Sequence, residues 1–457
     1  MSLAAIDLNG LPSHFEWGAA TSSYQIEGGT EDGARGRCIW DDFALIPGAV
    51  QDGTTHPRGV EHVRQLEADL DLMADLGLES YRFSISWPRV QPGGSGSYNR
   101  AGLDFYERLV DGLLARGIKP NATLYHWDLP SELQAVGGWA NPRTIDAFAD
   151  YAAHVSGTLG DRVKQWATLN EPWCIAYLGH LNGHHAPGIR DLATTVQVAH
   201  QLIRAHALGS QAVRSSVPDA SIGVVLNLSD QIVLGEQTPE VAADLRLIDG
   251  LHNRWWLDGM LRGTLPEDVL DHFEQLLGIR LDDSELPDVS QGRDWLGLNY
   301  YNAGIFAAGG SGIDVYPGVH HVIGVPYESE RTDMGWPWTP SGLGAVLRRV
   351  GAALPDVPLY VTENGAAYAT APDAEGRVRD AKREEYLAEY VGSALAACRD
   401  GVDVRGYYVW SLFDNFEWAF GNAQRFGIVW VDYTTWERTP KDSATAYKHL
   451  IERSRTL

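Results

Sequence analysis

The feature that most constrains the fold of this chain is a repeated order of elements: a helical segment, a glycine and a short apolar strand. Residues 63–73 place apolar side chains at helical spacing, Gly77 follows them, and residues 79–86 predict a strand. Glycine suits the left-handed backbone position after a helix, where another side chain is strained. The same order recurs at three further glycines, at positions 117, 160 and 401. The chain therefore alternates helices with strands.

This pattern yields eight strand candidates, at residues 16–20, 79–86, 118–125, 163–169, 221–226, 295–298, 359–362 and 404–410. Helices are predicted after most of them, including 193–216, 239–261, 341–353 and 442–455. Alternation favours a parallel sheet with right-handed crossovers, and eight units favour its closure. We therefore predict an α/β fold, a (β/α)8 TIM barrel with extended loops at its C-terminal face.

An open, doubly wound parallel sheet is the alternative fold, although no Gly-x-Gly-x-x-Gly follows the first predicted strand. No proline- or serine-rich linker divides the chain, so we expect one domain over residues 1–457. The long connection at residues 302–339 is rich in glycine, proline and aromatic residues. Such a connection indicates a functional loop rather than a domain boundary.

Charge and cysteine content exclude several classes of protein. Asp and Glu total 60 against 36 Lys and Arg, a net charge of -24 that would repel a phosphate backbone. Three widely spaced cysteines cannot form a disulfide framework. Residues 1–7 lack the basic and apolar regions of a secretory signal, and no apolar run is long enough for a membrane helix. We therefore expect a cytoplasmic protein without a nucleic-acid or membrane partner.

In a barrel of this kind the active site lies at the C-terminal ends of the strands. Carboxylates, amides and flat aromatic side chains recur there, and this mixture suits a sugar, whose hydroxyls need polar partners and whose ring needs an apolar face. Alone, Asn170-Glu171-Pro172 would be a strand end and Thr362-Glu363-Asn364-Gly365 a turn. Their joint occurrence, with 16 Trp and 19 Tyr in the chain, indicates a carbohydrate site.

Seven ordered motifs carry a resemblance to a known family, at residues 15–28, 81–89, 124–130, 168–173, 298–301, 361–365 and 425–427. Over nearly its whole length the chain resembles the β-glucosidases of glycoside hydrolase family 1. The resemblance implies a retaining β-glucosidase that releases the nonreducing terminal β-D-glucosyl unit of β-glucosides and short cello-oligosaccharides, with roles in carbohydrate metabolism and in cellulose and polysaccharide degradation.

The same resemblance implies roles for two glutamates. Glu363 would be the nucleophile that forms a covalent glycosyl-enzyme, and Glu171 the general acid and then the general base. Their carboxyl groups are expected about 5–5.5 Å apart, the spacing of retaining enzymes. Arg82 and Tyr301 are the candidates for holding Glu363 ionised, and a purely structural network is the alternative role for both.

The remaining site residues are implied by family position. Asn170 would bond the sugar 2-hydroxyl, with Asn299 supporting it. Gln25, His126, Trp127 and Glu417 would bind the other hydroxyls. Trp410 would lie under the ring, Trp418 beside it, and Trp336 would be a platform for the leaving group. A non-proline cis bond is expected at Trp410-Ser411. Acid–base chemistry needs no cofactor, and the histidines and cysteines show no zinc spacing.

The region after Glu417 bears on the substrate class. Relatives that cleave 6-phospho-sugars have small hydroxyl and lysine residues here, whereas residues 417–424 contain no lysine, so a neutral sugar is favoured. Phe420 and Gln424 depart from the family pattern of an acidic residue and a lysine, which affects the pocket rim. The alternatives are a 6-phospho-β-glycosidase, an endo-acting relative and a sugar-binding protein without catalysis; the last should have lost a carboxylate.

Overall fold

A computed structural model describes residues 2–28, 35–55, 59–309 and 316–456 of the chain. The two ends of the predicted domain, Met1 and Leu457, and part of the predicted loop, residues 310–315, lie outside the described residues. Within the described ranges, no helix combines the length and the apolar character that crossing a lipid bilayer requires.

Eight strands form the centre of the molecule: β1 (Glu16–Ala20), β2 (Ser80–Ser84), β3 (Lys119–Tyr125), β4 (Gln165–Asn170), β5 (Ser221–Asn227), β6 (Trp295–Asn299), β7 (Leu359–Asn364) and β8 (Val404–Trp410). Each strand pairs in parallel with its neighbours in chain order, and β8 pairs with β1 to close the barrel. The predicted (β/α)8 barrel is confirmed, the open sheet is wrong, and every strand prediction falls within two residues of the observed ends.

Helices connect and surround the strands. The α-helices span Ser23–Ile26, Ile39–Phe43, Leu66–Asp75, Trp87–Val90, Arg100–Ala115, Ser131–Ala135, Pro142–Leu159, Leu192–Ser216, Pro239–Asp249, Trp255–Arg262, Glu267–Leu277, Pro340–Ala353, Ala381–Arg399 and Asp442–Ser454. Short 3₁₀ turns lie at Leu3–Ala5, Gly138–Ala140, Asp283–Glu285, Ser290–Gly292 and Trp418–Phe420, and π-helical turns at Cys174–Leu178 and Gly250–Arg254. The predicted helix 239–261 is thus interrupted by a π-helical turn.

The core lies between the barrel and its helices. The apolar positions that predicted the helices face inward, since Leu70, Leu113 and Val391 are fully buried. All five residues of β2 are buried as well, as expected for a parallel strand covered on both faces. The buried faces of the helices and the strands therefore pack together into one continuous apolar core.

The glycines that follow the helices serve two different purposes. Gly77, Gly117 and Gly401 have φ of 72°, 73° and 91°, the left-handed conformation that was expected. Gly160 is different, because its φ is -74°, so the left-handed prediction is wrong there. A Cβ at Gly160 would collide with the Val217 side chain and the Ser156 carbonyl oxygen, so close packing calls for glycine at this position.

The predicted functional loop, 302–339, contains regular structure. Its strands Gly304–Ala308 and Val322–Gly324 form a small sheet with Gln231–Leu234. A second small sheet pairs Val429–Val431 with Arg438–Pro440. Residues of the loop, including Tyr316 and Trp336, line the cavity at the C-terminal ends of the barrel strands.

Candidate active site

A cavity of about 1450 Å³ opens at the C-terminal ends of the barrel strands. Ten of the sequence-predicted site residues line it: His126, Trp127, Glu171, Asn299, Tyr301, Trp336, Glu363, Trp410, Glu417 and Trp418. Arg82, Asn170 and Gln25 lie behind this wall, where each is fully buried. The barrel thus gathers residues from seven separate segments of the sequence around one space.

The two strands that present the carboxylates are both irregular near their ends. The pairing of β4 with β5 shifts between Ala167 and Asn170, and that of β7 with β6 shifts between Val361 and Glu363. Such irregularities redirect side chains and are common beside active sites. Glu171 itself has a φ of 48°, which is strained for a residue with a side chain. Backbone strain therefore occurs where Glu171 enters the cavity, and Trp127 and Trp418 of the cavity wall have positive φ as well.

Glu363 has a charged partner and a neutral partner. The Arg82 guanidinium Nη1 donates to its Oε1 at 2.7 Å, and the Tyr301 hydroxyl donates to its Oε2 at 2.8 Å. Burial raises the pKa of the Glu363 carboxyl, while the charge of Arg82 and the hydrogen bonds from Arg82 and Tyr301 oppose that rise. The contact with the buried arginine gives this carboxylate the direct positive charge that favours its ionised form.

Glu171 is held by neutral groups. Asn299 Nδ2 donates to its Oε1 at 2.7 Å, and the Cys174 thiol donates to its Oε2 at 3.0 Å. Burial and, next, the negative charge of Glu363 raise the pKa of Glu171 to about 7. Of the two carboxyl groups, Glu171 is therefore the one arranged to carry a proton near neutrality.

Buried amides connect the two carboxyl groups. Asn170 Oδ1 accepts from Arg82 Nη2 at 2.7 Å and from Asn299 Nδ2 at 3.1 Å. Asn299 in turn accepts a hydrogen bond from Thr362 Oγ1 at 2.8 Å. A contact of 3.1 Å joins Asn170 Nδ2 to His126 Nε2, so the histidine is the acceptor there. The network therefore holds the side chains of Glu171 and Glu363 in fixed positions relative to each other.

Another part of the cavity wall is aromatic and acidic. Trp410 stacks on His126 with ring centroids 5.8 Å apart, and Trp418 lies 4.6 Å from Trp127. Burial, followed by the charges of Glu363 and Glu171, raises the pKa of Glu417 to about 8, and Glu417 Oε2 has no hydrogen-bond partner among the described residues. An acceptor or donor is therefore available on Glu417 for a ligand. The peptide bond Trp410–Ser411 is cis, which confirms that expectation.

Two predicted sugar contacts are engaged within the protein. Gln25 Nε2 donates to the Phe416 carbonyl oxygen at 2.7 Å and to Asn415 Oδ1 at 3.0 Å, so Gln25 supports the segment that leads to Glu417. Trp127 Nε1 donates to the Asn170 carbonyl oxygen at 2.9 Å. In this arrangement Trp127 offers its ring to the cavity while its N–H holds the end of β4.

Sequence reasoning missed several residues of the cavity wall. Cys174 lies one helical turn after Glu171, a spacing that could have indicated contact had the helix after β4 been predicted. Trp173, Tyr316 and His252, which also line the cavity, form a hydrogen-bonded group that tertiary contact alone brings together. Trp336 lies 5.3 Å from the Tyr301 ring. Within the described ranges, no cluster of three His, Cys, Asp or Glu residues is placed to hold a metal ion.

A barrel with paired buried glutamates at its mouth defines a class of enzymes that cleave glycosidic bonds. The model of Glycosyl hydrolase family 1 matches residues 8–456. Beta-glucosidase A of Thermotoga maritima is 41% identical over 96% of this chain and 97% of that protein. The 1,4-beta-D-glucan glucohydrolase of Thermotoga neapolitana is 40% identical over 96% and 98%.

The fold comparison agrees with the sequence comparison. The structure of the beta-glucosidase from Thermotoga maritima in complex with deoxynojirimycin superposes with a TM-score of 0.89 at 40% identity, covering 97% of this chain and 99% of that one. The chain belongs to glycosyl hydrolase family 1.

Proposed function

We propose that this protein is a retaining β-glucosidase that removes the nonreducing terminal glucosyl unit from β-glucosides and short cello-oligosaccharides. One observation carries the proposal: Glu363 contacts Arg82 at 2.7 Å, whereas Glu171, in the same cavity, is held by Asn299 and Cys174. Two like groups in unlike surroundings supply one nucleophile and one acid.

In the first step a Glu363 oxygen attacks the anomeric carbon while Glu171 gives its proton to the glycosidic oxygen. The bond between the anomeric carbon and that oxygen breaks, and a glycosyl ester on Glu363 forms. Esterification removes the negative charge of Glu363, which had raised the pKa of Glu171. Loss of that charge lowers the pKa of Glu171 and suits it to act next as a base.

In the second step Glu171 takes a proton from water, and the resulting hydroxide displaces Glu363 from the anomeric carbon. Two inversions leave the product in the β configuration of the substrate. Both steps use the side chains named above. We expect the two carboxyl groups to be about 5–5.5 Å apart, since a separation near 9 Å would leave room for the water of an inverting mechanism.

The proposed sugar contacts follow from the wall of the cavity. Glu417 would bind two hydroxyls, and Trp410 would lie under the ring. His126 and Asn170 would contact the hydroxyls near the amide network, and Trp336 would carry the leaving group. The cavity exceeds the roughly 300–1,000 Å³ of a typical small-molecule site, which supports a substrate longer than one sugar.

A neutral sugar is favoured over a phosphorylated one. Three acidic groups, Glu171, Glu363 and Glu417, face the cavity, and residues 417–424 contain no lysine that could pair with a phosphate. The name of the glucan glucohydrolase relative, which is similar over nearly the whole chain, supports a cello-oligosaccharide substrate.

The proposal is tested with initial rates on aryl β-glycosides, cello-oligosaccharides and a 6-phosphoglucoside, together with NMR of the first product anomer. We expect β-glucose as the first product and negligible rates on the phosphorylated substrate. The kcat/KM should fall as pH rises above about 7, where Glu171 loses the proton it must donate. A first product of α configuration, or a preference for the 6-phosphoglucoside, would refute the proposal.

A further inference from the structure

The thiol of Cys174 lies against the proposed acid/base. Cys174 begins the π-helical turn Cys174–Leu178, three residues after Glu171, and its Sγ is 3.0 Å from Glu171 Oε2. The side chain lines the cavity, although only 6% of the residue is exposed. Its position beside a reacting carboxyl group distinguishes it from Cys38 and Cys398, which lie elsewhere in the fold.

A second contact orients the thiol. Asn227 Nδ2, at the end of β5, donates to Cys174 Sγ at 3.6 Å. With its sulfur accepting from Asn227, the thiol has its single hydrogen available for Glu171. The hydrogen bonds therefore run in one direction, from Asn227 to Cys174 to Glu171.

The surroundings keep Cys174 in its protonated form. Burial, followed by the negative charge of Glu171, raises the pKa of the thiol well above its usual range. A thiolate would be the nucleophilic form, so this cysteine is inert as a nucleophile and acts as a neutral donor. Its contribution must then pass through the carboxyl group that it contacts.

We propose that Cys174 is a positioning residue for the acid/base, holding Glu171 Oε2 while Asn299 holds Oε1. Two donors from different elements, the turn after β4 and the end of β6, fix the plane of the carboxyl group. This inference rests on the proposed role of Glu171. A carboxyl group held in one orientation can donate its proton to the glycosidic oxygen and later accept one from water along the same direction.

The hydrogen bond from Cys174 affects the pH at which Glu171 titrates. Glu363, Glu417, Tyr301 and Arg82 are the other titratable groups that act on Glu171 from the surrounding strands and loops. The thiol hydrogen bond favours the carboxylate form of Glu171 and opposes the rise in its pKa. Removing the thiol should therefore raise the pKa of Glu171 and leave Glu363, held by Arg82 and Tyr301, unaffected.

The experiment compares Cys174→Val, which fills the space without a donor, with Cys174→Ser, which keeps a donor. On a glucoside with a poor leaving group, the valine variant should move the basic limb of the kcat/KM profile upward by about half a unit to one unit. Its acidic limb should stay in place. With an activated aryl leaving group, kcat should fall about three- to tenfold because the base step is impaired. The serine variant should restore both values to near wild type.

Controls separate this inference from the function on which it rests. Cys398→Ala, which removes a thiol remote from the cavity, should leave the profile unchanged. A wild-type protein inactive on every β-glucoside would refute the proposed function. An active wild type with an unmoved valine profile, or equal shifts in the valine and serine variants, would overturn the role of the Cys174 hydrogen bond alone.

Discussion

The ends of β4 and β7 carry the same chemical group in different surroundings. At the end of β7, Glu363 contacts a buried guanidinium and a phenol. Just beyond β4, Glu171 contacts an amide and a thiol. Both carboxyl groups are buried, so burial alone cannot assign them different roles. The difference comes from partners that other strands supply.

Arg82 contacts both regions, the end of β7 and the end of β4. Its Nη1 contacts Glu363 directly, while its Nη2 contacts Asn170, the neighbour of Glu171. The positive charge therefore stabilises the Glu363 carboxylate directly, and the same side chain orders the end of β4 through the Asn170 amide. A lysine would not reproduce this geometry, because its donors share one nitrogen whereas the two contacts use both Nη atoms of the planar guanidinium.

Removing the carboxylate at the β7 end should have the largest effect. Glu363→Ala should lower hydrolysis by about 10⁵-fold or more whatever the leaving group, since no glycosyl-enzyme can form. With an α-glucosyl fluoride and an acceptor, the variant should transfer the sugar with Glu171 as base. Given an aryl β-glucoside and azide instead, it should yield the α-azide, because azide displaces the leaving group with inversion. Glu385→Ala, an exposed glutamate on the helix Ala381–Arg399, is the matched control and should retain full activity.

Removing the carboxylate at the β4 end should have an effect that depends on the leaving group. Glu171→Ala should cost about 10²–10⁴-fold on a poor leaving group, which needs protonation. With an activated aryl group the first step should survive and the intermediate accumulate. Azide needs no general base and should restore turnover with a β-glucosyl azide as product. A β-azide from Glu363→Ala together with an α-azide from Glu171→Ala would show that the two roles are reversed.

Replacing Arg82 should make the surroundings of the two carboxyl groups, Glu363 and Glu171, more alike. Arg82→Lys should reduce kcat/KM about 10²-fold, because the double contact to Glu363 and Asn170 is lost. The pKa of Glu363 should rise. Because activity needs the ionised carboxylate, the acidic limb of the kcat/KM profile should move to higher pH. The partly exposed Arg405, paired with Asp403 at the start of β8, supplies the control Arg405→Lys. An acidic limb that stays in place in Arg82→Lys would contradict the charge argument.

Removing one neutral donor should have the smallest effect. Tyr301→Phe deletes the hydrogen bond to Glu363 Oε2 while keeping the ring beside Trp336. We expect about a tenfold loss in kcat and an upward move of the acidic limb smaller than that of Arg82→Lys. Tyr98→Phe, at a surface tyrosine that bonds the Asp150 carbonyl oxygen, should change neither quantity. Equal shifts in Tyr301→Phe and Arg82→Lys would show that hydrogen bonding outweighs charge.

Local pattern was sufficient to predict the eight strands of the barrel. Helical spacing, as at Leu70, and terminal glycines such as Gly77 depend on neighbours in the sequence, so the strands were predicted nearly to their ends. Gly160 shows the limit of that reasoning. Glycine is needed at this position because a side chain would collide with Val217, 57 positions away. The backbone preference of the local sequence contains no information about such a contact.

Some residues of the site were likewise predictable from local sequence and others were not. Glu171 and Glu363 were recognisable because short motifs surround each of them. The sugar contact of Gln25 stays a prediction, and the structure adds a bond that the sequence did not indicate, to Asn415, 390 positions later. Cys174 was overlooked as a partner of Glu171, since its role depends on the helix that begins after β4.

The sequence by itself determined the barrel and the family and predicted the two glutamates of the proposed site, because periodicity marks the strands and contiguous motifs surround Glu171 and Glu363. Only the tertiary structure decided which glutamate meets the arginine and which meets the amide and thiol. Hydrogen bonds and direct ion pairs need contact within a few ångströms, and closing the barrel brings Arg82 within 2.7 Å of Glu363 across 281 positions of sequence. The proposed division between acid and nucleophile therefore depends on contacts that the closed barrel creates.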